Sequence, residues 1–320
     1  MGSNHEGRQL LTNSRRNSFL ICARRHYYEY ELCRRPVKTP EPLRYGSLVH
    51  KMLESHWRGE EIVDLTEAAR ESDPYEVARA AALVDGYHEH YGTDAQAYKV
   101  VAVEQEYVAP LFNPDTRAES RTWLLSGKID VIVKDADGRL IIVEHKTTSK
   151  SILPDGDYWP RLTIDGQIGG YHVGCDALGH KVDHVLYDVI FKLDRKVRYA
   201  TEVKVNKNGA ISKATRLEDE TPDAYHDRYL ADIRANPDRI YARRELVRLQ
   251  DEIVDYMSDM WTIGKQIRIS QINKYWPRNP TSCDAYGKCP YFDVCCRYAS
   301  IDDDSRFATT PQHPELGGAA

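Results

Sequence analysis

The chain has 320 residues, of which 41% are hydrophobic and 29% charged, and its formal net charge is −5 at pH 7. This composition excludes a disordered chain, favours one elaborated domain, and argues against nucleic-acid binding over the whole surface, because phosphate contacts need clustered Lys and Arg. No apolar run approaches the roughly 20 residues of a membrane helix, and charges stand where a signal peptide has its apolar segment, so we expect a soluble, cytoplasmic protein.

The first third of the chain is predicted to be helical. Hydrophobic spacing and a Pro-rich break at 36–42 indicate helices over 14–33, 46–57 and 74–91. Ser14 or Ser18 is expected to open the first of them. That helix and the residues after it concentrate positive charge, in Arg15, Arg16, Arg24, Arg25, Arg34 and Arg35. A nucleic-acid path along this segment is one interpretation, with Arg24 and Arg25 as DNA contacts, and a solvated face is the other.

The pattern then changes to the two-residue period and β-branched residues of strands. Strands are predicted over 98–108, 121–134, 139–146, 184–194 and 239–248, and helices over 162–178, 222–236 and 249–268. Helices around a short central sheet predict an α/β or α+β fold. We divide the chain into an N-terminal helical region (1–95), a core (96–248), a C-terminal helix with clustered cysteines (249–300) and a flexible tail (301–320).

Three residues near the middle of the chain carry the predicted chemistry: Asp130, Glu144 and Lys146. Side chains alternate along a strand, so Glu144 and Lys146 project from one face and His145 from the other. Carboxylates at the end of a sheet suit Mg²⁺ or Mn²⁺, and a neighbouring lysine can orient or help deprotonate the attacking water. Phosphodiester hydrolysis requires this combination. The alternative is an ordinary exposed strand pair, but the preceding apolar run 140–143 predicts a buried strand, where charges without a role are costly.

The turn before this strand decides whether the two carboxylates can meet. If Lys134 paired with Arg139, Asp130 would lie opposite Val143 and point to the wrong face of the sheet. A three-residue loop over 136–138, with Gly138 left-handed in a bulge, shifts the pairing by one residue and sets Asp130 opposite Glu144. We therefore predict the bulge.

A series of motifs around these residues resembles the RecB-like branch of the PD-(D/E)xK nuclease superfamily. Gly46-Ser47-Leu48-Val49-His50 is similar to Gly-x-x-x-His, and Gly127-Lys128-Ile129-Asp130 to Gly-x-x-Asp. Glu144-His145-Lys146-Thr147 is similar to (Asp/Glu)-x-Lys-Thr, and Gln167 with Tyr171 to Gln-x-x-x-Tyr. The resemblance implies a restriction-endonuclease-like core, a short mixed sheet flanked by helices. Compact nucleases of this kind occur in phages and in CRISPR loci.

The resemblance also implies roles for these residues. Asp130 and Glu144 would be metal ligands, with His50 as a further ligand or positioning group. Lys146 would be the catalytic lysine, and Gln167 and Tyr171 would hold the substrate or the lysine. Either Glu104 or Glu106 would correspond to a further acidic position of the family.

Seven cysteines, an odd number in a chain without an export signal, argue against a full disulfide framework. Cys283, Cys289 and Cys295 stand at five-residue gaps, which suggests a metal centre that needs a fourth ligand. The segment around Cys22 resembles the first-cysteine segment of iron–sulfur members of the family, including AddB and certain CRISPR-associated nucleases. This resemblance implies a structural [4Fe-4S] cluster that clasps the two ends of the chain.

The spacing of the cysteines alone does not identify the metal or all of its ligands. Zinc accepts four thiolates as well as an iron–sulfur cluster does, and Cys296 is an alternative ligand to Cys295. Several of the iron–sulfur relatives place their second and third cysteines closer together than this chain does. Cys33, Cys175 and Cys296 are expected to be ordinary thiols.

The leading hypothesis is a Mg²⁺- or Mn²⁺-dependent deoxyribonuclease, with exonuclease activity preferred, that acts on single-stranded DNA or on free ends in repair or recombination. A helicase or recombination protein is the expected partner, since the chain has no G-x-x-x-x-G-K-[ST] phosphate-binding loop. The alternatives are a catalytically silent nucleic-acid-binding subunit and a zinc-stabilised structural protein. The presence of Asp130, Glu144, Lys146 and Gln167 argues against a silent subunit, because a buried charge without its metal is costly.

Overall fold

A computed structural model describes residues 7–59, 73–156, 158–212, 215–285 and 287–317. Within these ranges the helices are α1 (Asn13–Ile21), α2 (Ala23–His26), α3 (Glu41–Arg58), α4 (Pro74–Tyr91), α5 (Asp94–Ala97), α6 (Gly166–Ala177), α7 (Pro222–Ala235), α8 (Gln250–Asn273) and α9 (Phe292–Cys295). The strands are β1 (Gln9–Thr12), β2 (Arg34–Pro36), β3 (Lys99–Phe112), β4 (Glu119–Lys134), β5 (Leu140–Thr148), β6 (His184–Phe191), β7 (Tyr241–Leu246) and β8 (Phe307–Thr309). None of the described helices combines the length and apolarity needed to cross a membrane.

The strands form a six-stranded mixed sheet organised around β4, which is long enough to pair with two strands along one edge. β1 pairs in parallel with its first half, and β5 pairs antiparallel with its second half. β3 pairs antiparallel with the opposite edge. Beyond β5 the sheet continues with β6, parallel, and β7, antiparallel. A separate two-stranded sheet joins β2 to β8. The predicted mixed sheet flanked by helices is confirmed.

Helices cover both faces of the large sheet. On one face Ile142 belongs to a core that includes Tyr171 of α6 and Met260 of α8. On the other face Val143 packs in a cluster with Trp57 of α3, and α3, α4 and α7 contribute a second core beside it. Burial on both sides explains why β5 and β6 read as nearly continuous apolar runs. The catalytic candidates on β5 therefore lie in a strand that is buried on both faces.

The hairpin between β4 and β5 has the predicted bulge. Lys134 pairs with Leu140, and the pairs continue to Val131 with Val143. The backbone nitrogen of Gly138 donates to the carbonyl of Asp135 at 3.0 Å, and Gly138 has a φ of 79°. Because this left-handed conformation suits glycine, the three-residue loop fixes the register. Continued by one pair, that register sets Asp130 opposite Glu144.

The first helix differs from its prediction at both ends. The sequence predicts one helix over 14–33, whereas α1 ends at Ile21 and Cys22 is extended, with φ −164° and ψ 116°. A short α2 and a π-helical stretch, Tyr27–Glu31, follow. Cys22 therefore lies in a break between two helices rather than within one.

The cap of this helix is Thr12, not Ser14 or Ser18. The Thr12 hydroxyl accepts a hydrogen bond from the backbone nitrogen of Arg15 at 3.0 Å. This makes the last residue of β1 the first capping group of α1, so strand and helix follow each other without a loop. The short strands β1, β2 and β8 were not predicted.

The helix that carries the His50 motif begins earlier than predicted. The predicted span is 46–57, but α3 runs from Glu41 to Arg58, and Pro42 lies in its first turn. Proline is compatible with that position, since the first helical nitrogens lack partners in any case. The Pro-rich break therefore ends at Pro40. The prediction of 74–91 for the next helix is confirmed.

The predicted flexible tail over 301–320 is wrong for residues 307–317. Phe307 is 1% exposed and begins β8, which pairs with β2. Further along, the hydroxyl of Thr12 donates to Glu315 Oε1 at 2.6 Å, and Leu316 is buried. Two buried apolar side chains and a strand pair hold this segment against the N-terminal region. Residues 318–320 lie outside the described ranges.

Candidate active site

The β4–β5 hairpin brings the two predicted carboxylates to neighbouring positions. Asp130 Oδ2 accepts a hydrogen bond from the backbone nitrogen of His145 at 3.1 Å, one residue beyond Glu144. The Asp130 side chain is 14% exposed, whereas Glu144 is fully buried. The structure therefore gives the site one carboxylate that solvent can reach and one that it cannot.

Glu144 is held by two of the predicted site residues. Its Oε1 accepts from Lys146 Nζ, and its Oε2 accepts from the hydroxyl of Tyr171. The amide of Gln167 bonds in turn to that hydroxyl. A buried charge is stable only when it is paired and hydrogen-bonded, and this chain of contacts meets the requirement.

The environment shifts the protonation equilibria of this pair. Burial, followed by the nearby charge of Asp130, raises the pKa of Glu144 to about 7. Burial opposes the charged form of Lys146, but Glu144 and Asp130 outweigh it and raise the lysine pKa. Lys146 is therefore a stable cation at neutral pH, and a cation beside two carboxylates can also face a phosphate.

Close packing against Tyr107 of β3 positions α6 and with it Gln167 and Tyr171. A Cβ placed on Gly174 would lie 2.5 Å from the Tyr107 ring, and one on Gly170 would lie 2.9 Å from its hydroxyl. Gly127 of β4 leaves room for the same ring, with a hypothetical contact of 2.7 Å. These glycines let the helix approach the sheet closely enough for Tyr171 to reach Glu144. The motif glycine 127 thus has a packing role that the sequence does not reveal.

Helix α3 places His50 beside Asp130. Their Nδ1 and Oδ2 atoms lie 3.5 Å apart. A Cβ on Gly46 would lie 3.3 Å from the hydroxyl of Thr147, so glycine in this motif permits the helix to lie against β5. Burial, together with the charge of Lys146, lowers the pKa of His50 to about 3. The imidazole is therefore neutral at pH 7, which is the form that binds metals.

Of the two glutamates on β3, Glu104 is the one near the site. It forms an ion pair with Lys128, and the residues on either side of it pair with those on either side of Asp130. Burial raises the pKa of Glu104, and the charge of Asp130 adds to the effect. Glu104 also has a φ of 54°, an uncommon and strained conformation for a residue with a side chain. Glu106 points instead towards Gly317.

A buried polar network that the sequence analysis missed lies on the other face of β5. His145 Nε2 accepts from the indole of Trp57 at 2.8 Å, and His145 Nδ1 lies 3.4 Å from Asp188 Oδ2. Asp188 is fully buried and also contacts Arg243 at 3.1 Å. The hydroxyl of Tyr87 donates to Asp188 at 2.5 Å. The network ties β5 to β6, β7, α3 and α4 directly behind the site.

The four predicted cluster cysteines lie in one region, between the break after α1 and the C-terminal segment. Cys22 Sγ accepts from the backbone nitrogen of Asn279 at 3.4 Å, and Cys283 Sγ lies 3.9 Å from the Asn279 carbonyl. Burial raises the pKa of the Cys289 and Cys295 thiols, with further contributions from neighbouring cysteines. Cys175 is buried in the main core, away from this region, where burial raises its pKa to about 12.

The N-terminal arginines mostly bind other parts of the chain. Arg15 is fully buried and bonds to His26 Nε2 at 3.1 Å and to Glu31 at 3.0 Å, so the interpretation of Arg15 as a nucleic-acid contact or a solvated charge is wrong. Desolvation explains why a buried guanidinium needs such partners. Arg24 Nε donates to the carbonyl of Trp276 at 2.9 Å, and Arg25 Nε donates to Glu29 at 2.8 Å.

Within the described part of the chain, no three side chains of His, Cys, Asp or Glu come together as a formed metal site. The donor types nevertheless fit. Asp130, Glu144 and Glu104 offer the oxygens that Mg²⁺ and Mn²⁺ prefer, and His50 offers a neutral nitrogen. The four cysteines offer the thiolates that an iron–sulfur cluster or zinc takes.

Comparisons with known proteins agree with the motif series. A model of the PD-(D/E)XK nuclease superfamily matches residues 11–296. Among solved structures, a "putative exonuclease" from Eubacterium rectale has 10% identity and a TM-score of 0.48 over 93% of this chain and 90% of its own. The structure of SSO0001 has 16% identity and a TM-score of 0.28 over 68% of this chain and 84% of its own. Both structural likenesses are too weak to indicate a function.

No curated protein matches the chain. The family match, in contrast, covers both carboxylates of the β4–β5 hairpin, Lys146, the His50 motif and all four cysteines proposed as cluster ligands. On the strength of that match, the chain belongs to the PD-(D/E)XK nuclease superfamily.

Proposed function

We propose that the chain is a metal-dependent deoxyribonuclease that hydrolyses phosphodiester bonds, with exonuclease activity on free DNA ends preferred. The observation that carries the proposal is the fully buried carboxylate of Glu144, which Lys146 and Tyr171 hold across from Asp130. A structural ion pair of this kind has no need of a second carboxylate and a neutral histidine beside it. Metal-dependent hydrolysis gives each group a use, the two carboxylates and the histidine as metal ligands and Lys146 as the cation beside the phosphate.

Each of these residues has a place in the proposed reaction. Asp130 and Glu144, with His50 as a neutral donor, would hold one or two divalent ions, which would supply Lewis-acid stabilisation of the phosphate. Lys146 orients the attacking water and opposes the charge that develops on the phosphate. Tyr171, supported by Gln167, fixes the orientation of Glu144. Glu104 is the further acidic residue of the site, and Lys128 compensates its charge.

The test of this proposal is cleavage of end-labelled single- and double-stranded DNA with Mg²⁺, Mn²⁺ or a chelator. We expect cleavage with either metal and none with the chelator. Glu144→Gln is expected to reduce the rate by at least roughly 100-fold, whereas its control Glu245→Gln, an exposed glutamate on β7 of the same sheet, retains it. Equal rates for the two variants, or cleavage in chelator, would exclude the proposal. Binding of DNA without cleavage would support a silent subunit.

We further propose that Cys22, Cys283, Cys289 and Cys295 hold a structural [4Fe-4S] cluster. The support is their common location and the contacts around it: the amide of Asn279 donates to the Ile21 carbonyl at 2.9 Å, and the backbone nitrogen of Arg24 donates to Pro277 at 3.0 Å. Such a cluster would fasten α1 to the C-terminal segment. Arg24 and Arg25, next to Cys22, would then be held in place for DNA, and a helicase or recombination protein would supply the ends.

The cluster is tested by metal analysis of protein purified without oxygen. We expect iron, brown colour and broad visible absorption, all lost in Cys22→Ser and retained in the control Cys33→Ser. Cys33 is a matched control because it is also partly buried, and its carbonyl accepts a hydrogen bond from the backbone nitrogen of Thr310 in the C-terminal segment at 2.9 Å. Stoichiometric zinc without iron would mean that the four cysteines bind zinc rather than an iron–sulfur cluster. Full iron content in Cys22→Ser would remove Cys22 from the ligand set.

A further inference from the structure

A basic arm leaves the sheet between β6 and α7. We define it as residues 195–212 and 215–217, since 213–214 lie outside the described residues. Backbone hydrogen bonds join its two sides: Thr201 N donates to the Arg216 carbonyl at 2.9 Å, and Ser212 N to the Lys204 carbonyl at 2.7 Å. Gly209, with a φ of 79°, forms the turn at its tip. The arm is therefore a folded extension rather than a loop without internal bonds.

The base of the arm is fastened to the body of the protein. Glu220, which is 5% exposed, accepts from Arg228 Nε at 2.6 Å and from the backbone nitrogen of Arg198 at 3.0 Å. The hydroxyl of Tyr225 donates to the Arg195 carbonyl at 2.6 Å. The hydroxyl of Tyr75 on α4 donates to the Glu220 carbonyl at 2.6 Å. A base held by these contacts gives the arm a fixed direction.

The arm is strongly basic in an acidic chain. Its described residues include one acidic side chain, Glu202, and six basic ones: Arg195, Lys196, Arg198, Lys204, Lys207 and Arg216. The acidic residues that follow, 218–220, lie at the base, where Asp219 and Glu220 accept backbone hydrogen bonds. The net charge of the whole chain is −5. A polyanion would therefore be attracted to a few basic positions, of which this is one.

The lysines at the tip are free to bind a partner. Lys204 and Lys207, close to the turn at Gly209, are exposed, as is Lys196 near the base. None of the three forms an ion pair with another described residue. Val205 is 61% exposed and Ile211 is 52% exposed, so the tip makes little contact with the rest of the fold. Exposed lysines without an ion-pair partner do not contribute to the stability of the fold, so these lysines have no evident structural role.

The arm starts at the end of the sheet where Lys146 lies. β5 and β6 run parallel, with Lys146 opposite Val189 and Thr148 opposite Phe191. The backbone nitrogen of Lys192 then donates to the Thr148 carbonyl at 2.7 Å. Two residues of strand separate Thr148 from Lys146, which is about 7 Å. Nucleic acid bound at the site would thus lie beside the root of the arm.

We propose that the basic arm binds the phosphate backbone of the nucleic acid that the active site cleaves. This inference rests on the proposed nuclease function and adds a substrate-binding element to it. Lysines in this setting recognise phosphates without reading bases, so the arm would position the substrate and would not select a sequence. A protein partner is the other candidate for so exposed a hairpin, but the excess of positive charge favours a polyanion.

The experiment measures the salt dependence of DNA binding by fluorescence anisotropy, with chelator present so that no cleavage occurs. The variant is Lys204→Gln/Lys207→Gln in the full chain. The control is Lys134→Gln/Lys181→Gln, which removes the same charge from two exposed lysines at the opposite end of β5 and β6. Thermal unfolding is recorded for both, and because all four side chains are exposed we expect no change in stability.

We expect the arm variant to bind duplex DNA several-fold more weakly and to lower the slope of log affinity against log salt by about 1 to 2, while the control matches the wild type. Unchanged binding, or an equal loss in the control, would overturn the arm proposal. Cleavage by the wild type in the parallel assay would then leave the nuclease function standing. A wild type that neither binds nor cleaves DNA would overturn both. Loss of a protein partner with unchanged DNA binding would assign the arm to that partner and also overturn the proposal.

Discussion

A buried carboxylate needs hydrogen-bond partners that replace the water it has lost. Glu144 has one partner on its own strand and one on a helix that packs against the sheet. Lys146 lies two residues away on the same strand, and Tyr171 reaches it from α6. Glycines at 170 and 174 set the distance of that helix from the sheet. At the scale of single residues, therefore, the candidate active site depends on the absence of side chains at these glycines as much as on the side chains that are present.

We predict that Tyr171→Phe reduces DNA cleavage about 10- to 100-fold, because Glu144 loses the hydroxyl that fixes its orientation. The ring remains, so the fold and DNA binding should be retained. The control is Tyr229→Phe, which removes a hydroxyl bonded to the Leu193 carbonyl on the other side of the sheet. The measurement compares the single-turnover rate constants of the two variants and the wild type at saturating protein. An unchanged rate for Tyr171→Phe would assign the hydroxyl no role in the reaction.

At the scale of elements, β5 carries the candidate catalytic residues on one face and a buried polar network on the other. Its one face presents Glu144 and Lys146, and its other face presents His145 to a buried network with Asp188 and Arg243. The hydrogen bonds and ion pairs among these buried side chains fix the position of β5 relative to its neighbours. His145 Nδ1, Asp188 Oδ1 and Arg243 Nε have no hydrogen-bond partner among the described residues. The position of the candidate active site is thus set partly by contacts on the opposite face of β5.

We predict that Arg243→Met lowers the free energy of unfolding by about 3 to 5 kcal/mol, because Asp188 and Asp94 would remain buried without their cation. Urea denaturation followed by fluorescence gives the value. The exposed Arg239 supplies the control, since Arg239→Met should change stability by less than about 0.5 kcal/mol. Similar stabilities for the two variants would mean that the network makes no net contribution.

The sequence predicted those elements whose structure depends on neighbouring residues alone. The bulge at Gly138 and the register of Asp130 follow from turn chemistry, and the helix 74–91 follows from hydrophobic spacing. The strands β1, β2 and β8 are too short to carry a period, and their partners lie about a hundred or more residues away. The network around His145 was missed for a related reason, because Asp188 and Arg243 come from later strands and are ordinary charges in the sequence.

At the scale of the whole molecule, the N-terminal and C-terminal regions are packed together. Phe307 stacks on Tyr291, with ring centroids 5.4 Å apart, and Tyr291 in turn stacks on Tyr28 of the N-terminal region at 5.0 Å. The pairing of β2 with β8 lies beside this stack. The clasp expected from the cysteines is thus accompanied by an aromatic core and a strand pair that need no metal.

We predict that Phe307→Ala lowers the free energy of unfolding by about 3 to 5 kcal/mol, since it removes a ring that is 1% exposed. Phe112→Ala is the control, because Phe112 is 36% exposed and should cost far less. Both values come from chemical denaturation of protein with its metal content measured. If Phe307→Ala were as stable as the control, the aromatic core would not hold the two regions together.

The contact between Thr12 and Glu315 joins residues 303 positions apart, and it has a consequence for synthesis of the chain. A ribosome releases the N-terminal segment first, at roughly 5 to 20 residues per second, so that segment waits many seconds for its partners. During this time Arg15 lacks the Trp123 ring, which lies 4.8 Å from its guanidinium in the folded protein, and β2 presents an unpaired edge. Such late, long-range closure slows folding, because the entropy of ordering the intervening chain is lost before the final contacts form. The nascent protein is therefore most vulnerable to proteases and to aggregation at the end that emerges first.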